Sequence, residues 1–190
     1  MRKENSVLPV LACAALAAGL LWDPMGLLRM ALLCSAVHEA GHMFVWRLCA
    51  GRWPRPQPGL GGFSLQGAPL SAGQELAVLC AGPGANFLLA AALCLMALHR
   101  ARYGVYFLAA VSLCTGLYNL LPFGVLDGAR ILENLLPARF AGPLYRVQRA
   151  LLWAFCLAAP ALAFALPLPA AARVAAILAP GYLLAQGRAR

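Results

Sequence analysis

The chain has 190 residues, of which 63% are hydrophobic and 11% are charged, and its net charge is +9. A soluble domain of this size needs more polar side chains to cover its surface. The composition therefore excludes an ordinary soluble protein and predicts an integral membrane protein embedded in a lipid bilayer. The basic residues lie singly between hydrophobic segments and form no continuous stripe, so we predict no nucleic-acid partner.

Hydrophobic segments of near-spanning length divide the chain into about six predicted transmembrane helices. Their approximate limits are 6–22, 26–49, 75–98, 104–122, 150–166 and 170–186. The predicted fold class is an all-α polytopic membrane protein that forms one integral membrane domain over residues 1–190.

The distribution of basic residues predicts the orientation of these helices. If the N-terminus is cytoplasmic, the cytoplasmic segments carry eleven of the fifteen Lys and Arg residues. This excess follows the positive-inside rule, and Arg100 and Arg102 are the main exceptions. We therefore predict a multi-pass protein with both termini in the cytoplasm.

Residues 51–73 interrupt the hydrophobic pattern with many prolines and glycines, which exclude a spanning helix. The short run at residues 63–66 predicts a β-hairpin or a single edge strand within a cytoplasmic-side or re-entrant loop. An open strand edge beside a catalytic site is able to pair with an extended substrate.

The second predicted helix contains the sequence His38-Glu39-Ala40-Gly41-His42, an H-E-x-x-H motif. Histidines four residues apart lie on one helical face and can bind one zinc ion. Glu39 between them is placed to act as a general base in hydrolysis. The alternative is a structural pair of histidines, but ionisable groups inside a membrane are costly and are usually functional.

A zinc site needs at least a third protein ligand. Asp127 follows the fourth predicted helix, which runs in the same direction as the second and ends on the same side of the membrane. Pro122 and Gly124 predict a helix break before it, and Gly128 predicts a turn that aims the carboxylate at the histidines. Glu133 is the alternative third ligand.

Three motifs in this order resemble the site-2 protease family of intramembrane zinc metalloproteases. They are His38-Glu39-Ala40-Gly41-His42, then Gly82-Pro83-Gly84-Ala85-Asn86, and then Asn119-Leu120-Leu121-Pro122 followed by Leu126-Asp127-Gly128. The resemblance predicts a three-helix catalytic core over about residues 26–132, with accessory helices at 6–22 and 150–186.

The resemblance and the chemistry of the residues together assign roles to the motifs. One Zn²⁺ per chain is held by His38, His42 and Asp127, and Glu39 is the general base. Asn119 and Asn86 are predicted catalytic donors to the substrate or to its oxyanion, and hydrogen bonding between helices is the alternative for both. Gly82 and Gly84 predict close packing or a kink around Pro83.

In its small size, the chain most resembles the bacterial branch of the family that includes the stage IV sporulation protease FB. That resemblance implies a bacterial cell membrane location and a membrane protein substrate, such as a sigma-factor precursor or an anti-sigma factor. It also allows for a regulatory membrane partner. The oligomeric state is left open.

The alternative function is that of a metal-binding membrane protein without protease activity, such as a transporter. A transporter is expected to show internal repeats or polar ligands along a whole pathway. The chain has three histidines and six acidic residues, and it contains a single conspicuous metal-binding motif. The sequence therefore favours the metalloprotease.

Overall fold

The computed structural model describes residues 14, 17–24, 26–59, 62–122, 126–165, 167 and 173. The elements in this part of the chain are α1 (Leu27–Ala50), β1 (Arg55–Gly59), β2 (Gly62–Gln66), α2 (Ala72–His99), α3 (Tyr103–Asn119), α4 (Asp127–Leu135), a short 3₁₀ helix (Ala138–Phe140) and α5 (Ala141–Ala165). Residues 17–21 are also helical. Most of the first predicted span, 6–22, and nearly all of the last, 170–186, lie outside the described residues.

Helix α1 ends at a glycine, and a proline-rich hairpin follows it. Gly51 adopts a left-handed conformation with φ of 72°, and its N–H donates to the carbonyl of Arg47 at 3.0 Å. Strands β1 and β2 pair antiparallel, with Arg55 opposite Gln66 and Gly59 opposite Gly62. The hairpin predicted within residues 51–73 is therefore confirmed.

A capping box fixes the start of α2. The Ser71 hydroxyl accepts the N–H of Gln74, and the Gln74 side chain accepts the N–H of Ser71 at 3.0 Å. The Gln74 amide also donates to the carbonyl of Cys49 at 3.4 Å. This contact places the start of α2 beside the end of α1.

Helices α1, α2 and α3 pack against one another. Gly41 on α1 lies so close to α2 that a Cβ atom there would stand 2.6 Å from the carbonyl oxygen of Ala81. On the other side of α2, the Ser112 hydroxyl of α3 donates to the carbonyl of Asn86 at 2.9 Å. Two close interfaces therefore hold α2 between α1 and α3.

The chain after α3 folds back onto this three-helix unit. Helix α4 packs against α2, and α5 packs against α4. The buried side chain of Gln148 on α5 donates to the carbonyl of Ala129 at 3.3 Å. Helix α5 begins at Ala141, nine residues before the span predicted at 150. The prediction was based on hydropathy, so it left out the polar first turns, which contain Arg146 and Arg149.

Within the residues that the structure describes, two segments, Ala72–His99 and Ala138–Ala165, are long and apolar enough to cross a bilayer. Leu88 and Leu98 on the first and Leu157 on the second are more than 70% exposed, as side chains that face lipid would be. Helix α3 has only 17 residues, and the polar motif of α1 lowers its hydropathy. The six-helix topology and the sidedness of the termini stay predictions.

Candidate metal centre

Helix α1 brings the two histidines of the motif to one buried position. His38 and His42 are 5% and 7% exposed, so both imidazoles are removed from solvent. Their Nε2 atoms lie 3.1 Å apart, and their rings meet edge to face with centroids 4.7 Å apart. The spacing of four residues thus places the two nitrogens at the same point, as predicted for a helix.

Asp127, the first residue of α4, reaches this point from another part of the chain. Its Oδ2 atom lies 2.9 Å from Nε2 of His38 and 3.2 Å from Nε2 of His42. Helix α3 ends at Asn119, three residues before Pro122, as expected for a helix that precedes a proline. The chain then re-enters a helix at Asp127, and the predicted break is present.

Gly128 serves a different purpose from the one predicted. Its φ is not positive, so the backbone there needs no glycine for a turn. A Cβ atom at Gly128 would instead collide with the carbonyl group of Leu120 and lie 2.8 Å from the carbonyl oxygen of Leu121. The glycine therefore lets the first turn of α4 lie against the end of α3, and this close approach holds Asp127 in place.

The donor set fits a zinc ion. Two imidazole nitrogens and one carboxylate oxygen are ordinary zinc ligands, and tetrahedral bonds of about 2.0–2.1 Å would separate ligand atoms by about 3.3 Å. The observed separations of 2.9, 3.1 and 3.2 Å are close to that value. Among the described residues, His38, His42 and Asp127 are the one group of His, Cys, Asp or Glu that converges in this way.

The alternative ligand Glu133 lies elsewhere. It lines a separate cavity of about 410 Å³ between α4 and α5, together with Gln148. The cavity that contains the histidines is lined by Asp127 and by Glu75, but not by Glu133. The geometry therefore favours Asp127 as the third ligand.

Helix α2 supports the far side of both imidazoles. The Nδ1 atom of His42 lies 2.7 Å from the carbonyl oxygen of Val78, and Nδ1 of His38 lies 3.3 Å from Nδ2 of Asn86. A carbonyl only accepts, so His42 donates from Nδ1 and its Nε2 carries the lone pair that a metal needs. Sequence reasoning missed Val78, since a backbone carbonyl has no signature in residue type.

Gly82 lies between these two contacts. A Cβ atom there would stand 2.5 Å from Cε1 of His42 and 2.8 Å from Cε1 of His38, and still closer to Nε2 of His42. Close packing at Gly82 was predicted, but its contact with the histidines was not. Gly84, two residues later on the same helix, has no such neighbour within 4 Å.

This difference gives a matched pair of variants. Gly82→Ala is expected to displace both imidazoles and to weaken zinc binding by at least about tenfold, as loss of ligand support does in other metal sites. Gly84→Ala is expected to keep the wild-type affinity. Titration of each purified variant with zinc against a chelating dye measures the difference, and equal affinities would contradict the close contact of Gly82 with the two imidazoles.

The candidate ligands form one wall of a large cavity. Its volume is about 1260 Å³, which exceeds the range of about 300–1,000 Å³ usual for small-molecule sites and leaves room for a polypeptide. Glu39 and Asn119 also line it, as do residues 65–70, which include the end of β2 and the segment after it. The cavity thus joins the metal ligands, the predicted base and the hairpin.

The two predicted asparagines occupy different surroundings. Asn119 lines the cavity, and its Nδ2 donates to the carbonyl of Thr115 in the same helix at 3.0 Å. Asn86 is fully buried, is absent from the cavity wall and contacts His38. Direct contact with a substrate is therefore geometrically accessible to Asn119 and not to Asn86.

Comparisons with known proteins give a family match and a structural likeness. The sequence model of peptidase family M50 matches residues 96–162. This stretch contains Asn119 and Asp127 but not the histidine motif. The structure resembles the site-2 protease from Methanocaldococcus jannaschii with a TM-score of 0.67 and 17% identity, over 95% of this chain and 86% of the other. At that identity the likeness shows a shared fold. No match was found among curated protein sequences.

The match to peptidase family M50 and the fold shared with a site-2 protease both support a metalloprotease. Within that class, the resemblance to the site-2 protease family predicted from the three motifs is confirmed. The narrower resemblance to the branch of the stage IV sporulation protease FB stays a prediction.

Proposed function

We propose that this protein is an intramembrane zinc endopeptidase that cuts a membrane-embedded or membrane-associated protein near the cytoplasmic face of a bacterial cell membrane. One observation carries the proposal. Three ligand atoms of His38, His42 and Asp127 converge within 4.8 Å on the wall of a cavity that Glu39 also lines. This arrangement supports the proposal because the candidate metal ligands, the carboxylate of Glu39 and space for a polypeptide occur together.

His38, His42 and Asp127 would hold one zinc ion, and their three protein ligands leave one coordination position open. When bound, zinc supplies Lewis acidity, which polarises the scissile carbonyl and makes the attacking water more acidic. Because the two histidines are buried, water has little access to their imidazole nitrogens and competes less with the ion for the lone pairs. Asp127 adds the negative charge that partly neutralises the ion in an apolar surrounding.

Glu39 acts as the general base and then as the general acid. Its carboxylate takes a proton from the attacking water and afterwards delivers that proton to the leaving amine. Glu39 is only half-buried and lines the cavity, so water from the cavity reaches it. The neighbouring histidines on the same helix are buried. Their lower exposure distinguishes the proposed ligands from the proposed base.

Asn119 is the proposed donor to the substrate. One N–H of its side-chain amide is used by the carbonyl of Thr115. The second N–H can donate into the cavity, where a carbonyl oxygen develops negative charge during peptide hydrolysis.

The hairpin offers a place for an extended substrate. Hydrolysis needs an unwound backbone, and β2 pairs on one edge with β1. Leu65 and Gln66 at the end of β2 line the cavity that holds the metal ligands. A substrate segment added along this region would satisfy its backbone groups and pass close to Glu39.

The proposed substrate class comes from the resemblance to the branch of the stage IV sporulation protease FB. The proposed candidates are a membrane-associated sigma-factor precursor or a membrane-anchored anti-sigma factor. Along the described residues the ligands form a single cluster, whereas a transport pathway needs successive sites. This single cluster supports proteolysis over transport.

Quantitative proteomics of membranes tests the proposal. Cells that carry the Glu39→Gln protein in place of the wild type are expected to accumulate one or a few intact membrane precursors and to lose the shorter products. The identity of the accumulated protein distinguishes the two substrate classes. Identical membrane proteomes under conditions in which both proteins are present would contradict the proposal.

A further inference from the structure

One face of α2 is built to receive the two histidines. Val78, Gly82 and Asn86 are spaced at intervals of four residues and lie on the same side of the helix. Because α1 and α2 run antiparallel, Val78 meets His42, Asn86 meets His38, and Gly82 faces both rings. Each imidazole therefore has a partner of its own on its Nδ1 side.

The two partners differ in chemistry. A histidine that gives the Nε2 lone pair to a metal carries its proton on Nδ1, and that N–H needs an acceptor. For His42 the acceptor is the carbonyl of Val78. For His38 the group that faces Nδ1 is the Asn86 amide, which offers an acceptor on one side and a donor on the other.

The surroundings of Asn86 leave this amide with one unused polar atom. The residue is 0% exposed, and its Oδ1 atom has no hydrogen-bond partner among the described residues. Its Nδ2 atom lies 3.3 Å from Nδ1 of His38. Rotation of the amide by half a turn exchanges the two atoms and sets the unpaired oxygen against the imidazole.

We propose that Asn86 is a positioning residue for the metal site, whose amide oxygen accepts the Nδ1–H of His38 and thereby directs Nε2 of His38 to zinc. The inference rests on the proposed zinc site and deepens it. It assigns Asn86 a role that acts through His38, in place of the direct substrate contact predicted from the sequence.

Zinc affinity tests this role without any need for a substrate. Asn86→Leu keeps the approximate volume and removes both polar atoms, and it is expected to weaken zinc binding about 10–100-fold. Asn86→Asp supplies only acceptor oxygens and is expected to keep zinc affinity at or above the wild-type level. Both are measured by competition with a chelating dye in detergent-solubilised full-length protein.

Ser112→Ala is the matched control. It removes the buried hydrogen bond to the backbone carbonyl of Asn86 itself and leaves the amide and His38 untouched. A purely structural role of this helix contact would make Ser112→Ala and Asn86→Leu similar in zinc affinity. The positioning role predicts that only Asn86→Leu changes it.

The tautomer of His38 is a second measurable quantity, and a change in packing alone is not expected to alter it. The chain has three histidines, so ¹⁵N-labelling of histidine gives few imidazole signals. In protein stripped of metal, Asn86→Asp is expected to raise the fraction of His38 protonated on Nδ1 and to leave His42 unchanged.

The outcomes separate this inference from the proposed function. Wild-type protein that binds no zinc would overturn both. Wild-type protein that binds zinc while Asn86→Leu binds it equally well would overturn the positioning role alone, as would an equal loss of affinity in Asn86→Leu and Asn86→Asp. Weak binding in Asn86→Leu with restored binding in Asn86→Asp supports it.

Discussion

Replacement of Glu39 by glutamine is expected to lower the rate of peptide hydrolysis by about 10²–10⁴-fold, the contribution usual for general acid–base catalysis. Glutamine preserves the size of the side chain and cannot accept the proton of the attacking water. Because Glu39 lines the cavity and is not one of the three converging groups, zinc content and folding are expected to stay at wild-type levels. Cleavage of a membrane substrate in lipid vesicles measures the rate.

Glu75→Gln is the control for this result. Glu75 lines the same cavity, but its carboxylate accepts from Asn134 on α4 at 3.5 Å and is not part of the metal centre. Its neutralisation is expected to leave the hydrolysis rate near the wild-type value. If the Glu39→Gln protein cut at the normal rate, the assignment of the base would be wrong.

Removal of the Asp127 carboxylate is expected to have the largest effect on metal binding. Asp127→Ala takes away one of the three proposed protein ligands and leaves two adjacent imidazoles without their acidic partner. Loss of outer supporting groups typically costs about 10–100-fold in affinity, and loss of a direct ligand is expected to exceed that. Metal analysis of the purified variant after dialysis should show little bound zinc.

Glu133→Ala completes the comparison, because Glu133 was the alternative ligand in the sequence. It lies beside the smaller cavity between α4 and α5, and its removal is expected to leave zinc content unchanged. Retention of zinc in Asp127→Ala together with loss in Glu133→Ala would reverse the assignment.

The sequence was sufficient to predict the residues that meet at the candidate centre. The period of the α-helix places His38 beside His42 whatever the tertiary fold, so that part needed no knowledge of packing. Asp127 was chosen because the direction of the helices brought the ends of two segments together. The same reasoning could not give atomic separations, because these depend on how closely the helices pack.

Features that depend on contact between helices were predicted less well. For Gly82 and Gly84 the sequence predicted close packing or a kink around Pro83, and close packing occurs at Gly82 but not at Gly84, since the face that α2 turns toward α1 cannot be read from a uniformly apolar helix. Gly128 was assigned to a turn, yet it permits a close approach to Leu120. These differences arise because a glycine in the sequence does not show which neighbouring atom excludes a side chain.

The positions that support the two imidazoles also differ in how many substitutions they are expected to tolerate. His42 rests on the main chain of Val78, so any residue at position 78 that preserves the helix still supplies the carbonyl. His38 rests on the side chain of Asn86, and a single nucleotide change can remove it. In a saturation library scored for zinc retention, position 78 should therefore accept many residues, whereas position 86 should accept few.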